Sequence, residues 1–267
     1  MEKIGIIAGN RKFPIVFSQA ARSRGFSVVA IAIKGDTSRR LKKSVDKIYW
    51  LGLSEFSKMF DIFKREGISR VIMAGQISPH RLFGKEINRD PQLREMLAEL
   101  KDKRADTIFG AIAAKLKSHG LELIDSTTFI GDLLPGKGTL TKKEPALEIR
   151  QDIHFGFELA RHIGSLDIGQ TVAVKHKAIV AVEALEGTDN LIRRAGRLAR
   201  GGITVVKVSK PKQDMRFDIP VVGLNTVKNL VRANAACLAI EAGRTLFIDK
   251  EQAVRLADRK GISIVAV

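Results

Sequence analysis

Short apolar runs alternate with amphipathic stretches along the first half of the chain. Ile4–Ala8, Val28–Ile33, Asp46–Trp50 and Val71–Ala74 read as buried strands. Between them, Phe13, Val16, Phe17, Ala20 and Ala21 recur at helical spacing and stop at Gly25, and Ser54 heads a second helix through Phe63. Helices over Gln92–Leu100 and Thr107–Lys117 and a short strand at Leu121–Ile124 follow. Continuous apolar strands interleaved with helices predict a parallel sheet covered on both faces.

Beyond Leu133-Leu134-Pro135-Gly136-Lys137-Gly138-Thr139, a Pro/Gly stretch that predicts a linker, the pattern changes. Asp152–Ile163 is helical. Thr171–Val174 and Ile179–Glu183 are strands joined by a short polar stretch, a hairpin pattern. Leu191–Arg200 is a helix ended by Gly201-Gly202, and Ile203–Val208 is a strand. A helix near Val227–Ala233, a strand at Thr245–Ile248, a helix at Lys250–Arg259 and a strand at Ile262–Val265 complete the chain. The expectation is an α/β protein: an N-terminal Rossmann-like parallel-sheet domain over 1–132, a linker over 133–140, and a C-terminal α/β domain with a mixed sheet over 141–267.

Composition narrows the class. With 45% hydrophobic and 28% charged residues over 267 positions, the chain can bury a core, so disorder is excluded. The one cysteine, Cys237, forbids an internal disulfide and a Cys-based zinc site. No apolar run is long enough to span a bilayer, and the start lacks the plan of a signal peptide. A cytoplasmic protein is expected, with peripheral attachment to the inner membrane's cytoplasmic face as a variant. The formal net charge of +17 points to an anionic partner. The charge is spread over both halves, aromatic residues are 6%, and no nucleic-acid-binding motif stands out, so nucleic acid is not expected. The one dense run, Arg39-Arg40-Leu41-Lys42-Lys43, reads as a solvated helix end or as a contact for phosphate or a lipid headgroup.

Four segments carry candidate chemistry. Gly5-Ile6-Ile7-Ala8-Gly9, with Pro14 opening a helix, is a strand–turn–helix junction of the kind that meets an anion, although Asn10, Arg11 and Lys12 break any dinucleotide fingerprint. Ala74-Gly75-Gln76-Ile77-Ser78-Pro79 closes another parallel strand, where α/β sheets bind ligands. Glu183 to Asp189 puts three acids and Thr188 into seven positions; as plain structure, Thr188 or Asp189 would cap the next helix. Lys207 to Pro220 mixes cations with Asp214 and Asp218, a composition suited to phosphate and a hard cation, or to surface ion pairs. Gly223, Asn225 and Thr226 then open another helix.

Taken together with Gly138-Thr139-Leu140-Thr141, Asp152-Ile153, Asp167-Ile168-Gly169-Gln170 and Gly201-Gly202, these blocks resemble the UDP-2,3-diacylglucosamine pyrophosphatase family of lipid A biosynthesis, in its two-domain, non-calcineurin form. The resemblance spans nearly the whole chain. It implies hydrolysis of the substrate diphosphate to 2,3-diacylglucosamine 1-phosphate and UMP, by metal-dependent attack of water on the α-phosphorus, with Mg²⁺ or another divalent cation. On that basis Asp214 and Asp218 are expected as metal ligands or base, with Glu186 and Asp189 as further catalytic carboxylates. Gly9, Pro14, Gly75, Gln76, Thr188, Lys207, Lys210, Arg216, Asn225 and Thr226 are expected at the substrate. Expected partners are the lipid-linked UDP-sugar, an anionic membrane surface and a second copy of the chain. Two rival readings on the same scaffold are a non-catalytic nucleotide-sugar sensor and an NAD-dependent oxidoreductase, the latter resting on Asp36 as a ribose-binding acid.

Overall fold

The computed structural model describes residues 1–78, 81, 86, 89–102, 104–211, 213–216 and 218–267, with Ala105 and Asp106 by backbone alone. Pro79, Lys212 and Phe217, which fall within the candidate segments, lie outside the described residues. The chain forms two units, Met1–Gly131 with Asp214–Asp218, and Asp132–Gln213 with Ile219–Val267.

The first unit runs β1 (Lys3–Ala8), α1 (Phe13–Ser23), β2 (Ser27–Ile33), β3 (Lys47–Leu51), α2 (Lys58–Arg65), β4 (Arg70–Ala74), α3 (Pro91–Ala98), α4 (Ala105–Ser118) and β5 (Glu122–Leu123). Its five strands are all parallel, in the order β3-β2-β1-β4-β5. Alternate strand positions face opposite layers. Val29, Ile31, Val71 and Met73 share a buried cluster with Phe63 of α2 and with Ile112 and Leu116 of α4. On β1 and β2 the intervening Ile4, Ile6, Val28 and Ala30 are fully buried as well, and α1 packs on β1, β2 and β4. The sheet is thus covered on both faces. One expectation is corrected: Ser54 does not cap a helix. Leu53–Glu55 is a 3₁₀ turn headed by Gly52, whose N–H donates to Glu55 Oε2 at 3.1 Å, and α2 starts only at Lys58.

The second unit holds β6 (Gly138–Thr139), α5 (Leu147–Ser165), β7 (Thr171–Lys175), β8 (Ala178–Val182), α6 (Thr188–Ala199), β9 (Thr204–Lys207), β10 (Val221–Gly223), α7 (Leu224–Arg232), β11 (Cys237–Ile240), β12 (Leu246–Ile248), α8 (Lys250–Arg259) and β13 (Ser263–Ala266). Its six-stranded sheet is mixed, in the order β6-β13-β11-β9-β7-β8, and β10 pairs with β12 separately. Strands β9, β11 and β13 are parallel, whereas β6 and β7 run against their neighbours. Val172, Val174, Val206, Cys237 and Val265 pack with Ile153, Ala160 and Ile163 of α5 on one face. Ala173, Val205, Leu238 and Ile264 face residues of α6, α7 and α8 on the other. Gly156 lets α5 approach closely, since a Cβ there would lie 2.8 Å from Val206 Cγ2. Within the stretch expected as a linker, Gly138–Thr139 pairs with Val265 and Ala266 as β6.

Candidate functional site

In the second unit β8 and β9 both run against β7, so their carboxyl ends lie at the same sheet edge. Glu183 follows β8, Lys207 ends β9, Thr171 opens β7 opposite Lys207, and Thr188 begins α6. These four side chains are buried and meet. Lys207 Nζ donates to Thr188 Oγ1 at 2.8 Å and to Thr171 Oγ1 at 3.4 Å, and Thr188 Oγ1 donates to Glu183 Oε1 at 2.8 Å. Glu183 Oε2 lies 3.9 Å from the ammonium and is buried without a hydrogen bond. A buried cation beside a carboxylate with one oxygen left over is a polar centre that needs full satisfaction to be stable. Next to it, Asn225 Nδ2 donates to Asp189 Oδ2 at 2.7 Å, joining the first turns of α7 and α6.

Local chain geometry sets this centre. Gly187, at φ +78°, is the residue that heads α6, and no side chain caps it. The expectation that Thr188 or Asp189 caps the helix is therefore corrected: Thr188 spends its hydroxyl on Glu183 and Lys207. Gly169 is required because a Cβ there would lie 2.1 Å from Glu183 O. The loop after β9 is pinned by Glu241, whose Oε2 accepts from Ser209 N at 2.7 Å and Ser209 Oγ at 2.6 Å. Lys210 Nζ is paired with Asp167 at 2.6 Å, with both side chains about nine-tenths buried. Glu186 is exposed and paired with Arg194. Thr226 is buried, and its Oγ1 accepts from Gly223 N at 3.4 Å, closing the start of α7.

Asp214, Arg216 and Asp218 belong to the first unit. Asp218 N donates to Asp214 O at 3.0 Å, so the two acids are one turn apart. Arg216 grips Asp214 with a fork, Nε to Oδ1 at 2.9 Å and Nη2 to Oδ2 at 2.6 Å. That guanidinium holds the Asp214 carboxyl below its usual range, and the carboxylate in turn raises Arg216. The two oxygens of Asp214 are thus occupied, and no group of three His, Cys, Asp or Glu side chains converges among the described residues. These residues do not by themselves form a Mg²⁺ site. A hard cation here would draw most of its ligands from diphosphate oxygens and water.

In the first unit, Gly9 and Gly75 lie at the carboxyl ends of β1 and β4, where strand order reverses. The two loops hold each other. Gly9 N donates to Ala74 O and Asn10 N to Gln76 O, both at 2.8 Å. A Cβ on Gly9 would sit 2.6 Å from Gln76 O, and one on Gly75 would sit 2.4 Å from Asn10 O. The glycines permit loop-to-loop contact, and the two N–H groups are already used. Pro14 stands in the first turn of α1. Asp36 is spent as well: Oδ2 accepts from Arg81 Nη1 at 3.0 Å, and Oδ1 takes Ser78 N at 3.2 Å together with the Ser78 hydroxyl. A ribose would have to displace those partners, which removes the support for a dinucleotide site.

Of the expected site residues, the structure brings together Thr188 with Lys207, Asp189 with Asn225, Asp214 with Arg216, and Gly9 with Gly75 and Gln76. Glu183 and Asp167 stand in the sequence motifs without a site role, and Thr171 only as the start of a strand. Glu183 and Thr171 were discoverable as polar residues at the ends of apolar strands; nothing local marks Asp167 as the partner of Lys210.

Two family descriptions match the chain: the LpxI N-terminal domain over residues 3–133 and the LpxI C-terminal domain over residues 136–265. The chain is 31% identical over 280 residues to the UDP-2,3-diacylglucosamine pyrophosphatase LpxI of Caulobacter vibrioides, an alignment covering 100% of this chain and 98% of that protein. Among solved structures, CobK precorrin-6A reductase is 13% identical with a TM-score of 0.35, over 100% of this chain and 87% of that one. The N5-carboxyaminoimidazole ribonucleotide synthetase of Thermotoga maritima is 17% identical with a TM-score of 0.26, over 71% of this chain and 43% of that one. Structural likenesses of this size carry no weight for fold or activity.

Proposed function

The chain belongs to the LpxI family, and from that premise we propose that it hydrolyses the diphosphate of UDP-2,3-diacylglucosamine in lipid A biosynthesis. The observation that carries this reading is the match of both family domains, in order, across nearly the whole length. In the proposed reaction a water oxygen bonds to the α-phosphorus on the uridine side. The bond from that phosphorus to the bridging oxygen breaks, and the bridging oxygen leaves with 2,3-diacylglucosamine 1-phosphate while UMP keeps the new oxygen.

Diphosphate hydrolysis asks a protein chiefly for positioning and charge stabilisation. In this proposal Arg216 moves from Asp214 to a phosphate oxygen, and the released Asp214 carboxylate takes the water proton. Lys207, held by Thr188, Thr171 and Glu183, is a positioning cation that fixes the edge carrying Asp189 and Asn225. A requirement for a divalent cation, Mg²⁺ first, is part of the proposal.

The test is turnover of UDP-2,3-diacylglucosamine in ¹⁸O-labelled water, with Mg²⁺ and with EDTA. Label in UMP with activity lost in EDTA is expected. Label in the lipid phosphate would overturn the attack position, full activity in EDTA the cation, and binding without turnover the assignment as an enzyme.

A further inference from the structure

A second basic feature lies at the carboxyl ends of β2 and β3, on the flank of the sheet next to the loops of β1 and β4. A cleft of about 570 Å³ is lined there by Lys34, Gly35, Thr37, Arg39, Lys42 and Trp50. Its wall is the 3₁₀ helix Arg39–Lys43, capped by Ser38 and anchored by the fully buried Leu41. Side chains three apart eclipse in a 3₁₀ helix. Arg39 and Lys42 therefore share one side, Arg40 and Lys43 the next. None of these four cations has an ion pair among the described residues, although acids stand nearby. Asp36 and Glu86 are both taken by Arg81. Glu55 is pulled down to about 2 by Lys58, the Gly52 N–H and Lys34, so it stays ionised and matches Lys34, 3.0 Å away. The Thr37 hydroxyl is used on Ala8 O and Ile33 N. The cleft is left with uncompensated positive charge on exposed, flexible stems beside a half-buried indole on the edge strand β3.

We propose that this cleft is where the protein docks on an anionic lipid surface, Arg39 and Lys42 meeting headgroup phosphates and Trp50 entering the interfacial layer. The charge is complementary, and the combination of long cations with an indole is the one that settles at a membrane interface. A built site for a soluble phosphate would instead hold the anion with buried donors, and the cations here are exposed. The inference goes beyond the proposed reaction and does not depend on it.

The chain has one tryptophan, so its fluorescence reports this cleft. The experiment titrates the full-length protein with phosphatidylglycerol–phosphatidylcholine vesicles, with phosphatidylcholine vesicles, with inorganic phosphate and with UMP. The expected result is a blue shift and loss of acrylamide quenching with the anionic vesicles alone. In the doubly substituted Arg39→Gln, Lys42→Gln protein, vesicle affinity should fall by about twenty-five-fold, at roughly fivefold per cation. Circular dichroism and turnover of detergent-dispersed substrate should be unchanged in that variant, which separates this test from that of the reaction. Anionic vesicles that bind the variant equally well, or that bind without shifting Trp50, would overturn the proposal by placing the contact elsewhere. A saturable shift with phosphate or UMP matching that with vesicles would overturn it in favour of a soluble ligand, and no binding to anionic vesicles at low salt would overturn it outright.

Discussion

At the scale of single residues, two of the four carboxylates expected to be catalytic live in opposite settings. Asp189 is buried and held by Asn225, whereas Asp214 is partly exposed in the Arg216 fork. A carboxyl lowered in the folded protein contributes stability above its unfolded value and loses it as pH falls through the folded value. Replacing Arg216 with Gln removes the cause of the lowering, so Asp214 returns toward the ordinary carboxylate value of about 4. If the ionised form does the work, the acid limb of kcat/KM against pH should move upward in Arg216→Gln, with kcat lower because a phosphate contact is also lost. An acid limb that stays in place would remove Asp214 from the role of base. The fork was not legible in the sequence as a pair: a spacing of two residues says only that the groups can meet, and the same segment reads equally well as phosphate clamp or surface ion pair.

At the scale of elements, most strands and helices could be read from apolar periodicity, and the exceptions have physical causes. Strand β11 lies inside the second sheet between β13 and β9, yet the sequence reading passed over it. Its Cys237-Leu238-Ala239-Ile240 has few β-branched residues and no alternation, because it is buried on both faces. The β7–β8 hairpin was visible as two apolar runs, but its turn was not. His176 and Lys177 both take positive φ, 51° and 57°, without the glycine or asparagine that usually marks such a turn. The missing local signal is supplied from α5, where the buried Asp152 carboxylate accepts from His176 N at 3.1 Å and Lys177 N at 2.7 Å. Asp152 is one of the residues that carried the family resemblance, and its work here is structural. Asp152→Ala should lower stability by about 1–3 kcal/mol, since two N–H groups lose a charged acceptor. Urea denaturation measures the loss, and an unchanged midpoint would show that the turn holds itself.

At the scale of the whole molecule, a parallel sheet in the first unit and a mixed sheet in the second are what the sequence predicts, but the strand orders and the path of the chain are not. Asp214–Asp218 belongs to the first unit although both flanking segments belong to the second. No periodicity encodes that return, because it rests on residues far apart in sequence. Ser126, fully buried, donates its N–H to Met215 O at 3.2 Å, and its hydroxyl lies 2.7 Å from Arg216 O. A fragment of residues 1–131 keeps all five parallel strands but strands the Ser126 N–H without its acceptor, at a cost of about 1–3 kcal/mol. Trp50 is the only tryptophan and stands in the first unit, so its emission follows that unit in both the fragment and the full chain. The fragment should therefore unfold at a lower urea concentration than the same unit does in the full chain, by an amount that its m-value converts to this range. Coincident midpoints would mean that Asp214–Asp218 rests on the first unit without stabilising it. The segment carrying Asp214 and Arg216 would then be free to move in catalysis at little cost to the fold, whereas a lower midpoint ties any such movement to the stability of the unit that holds it.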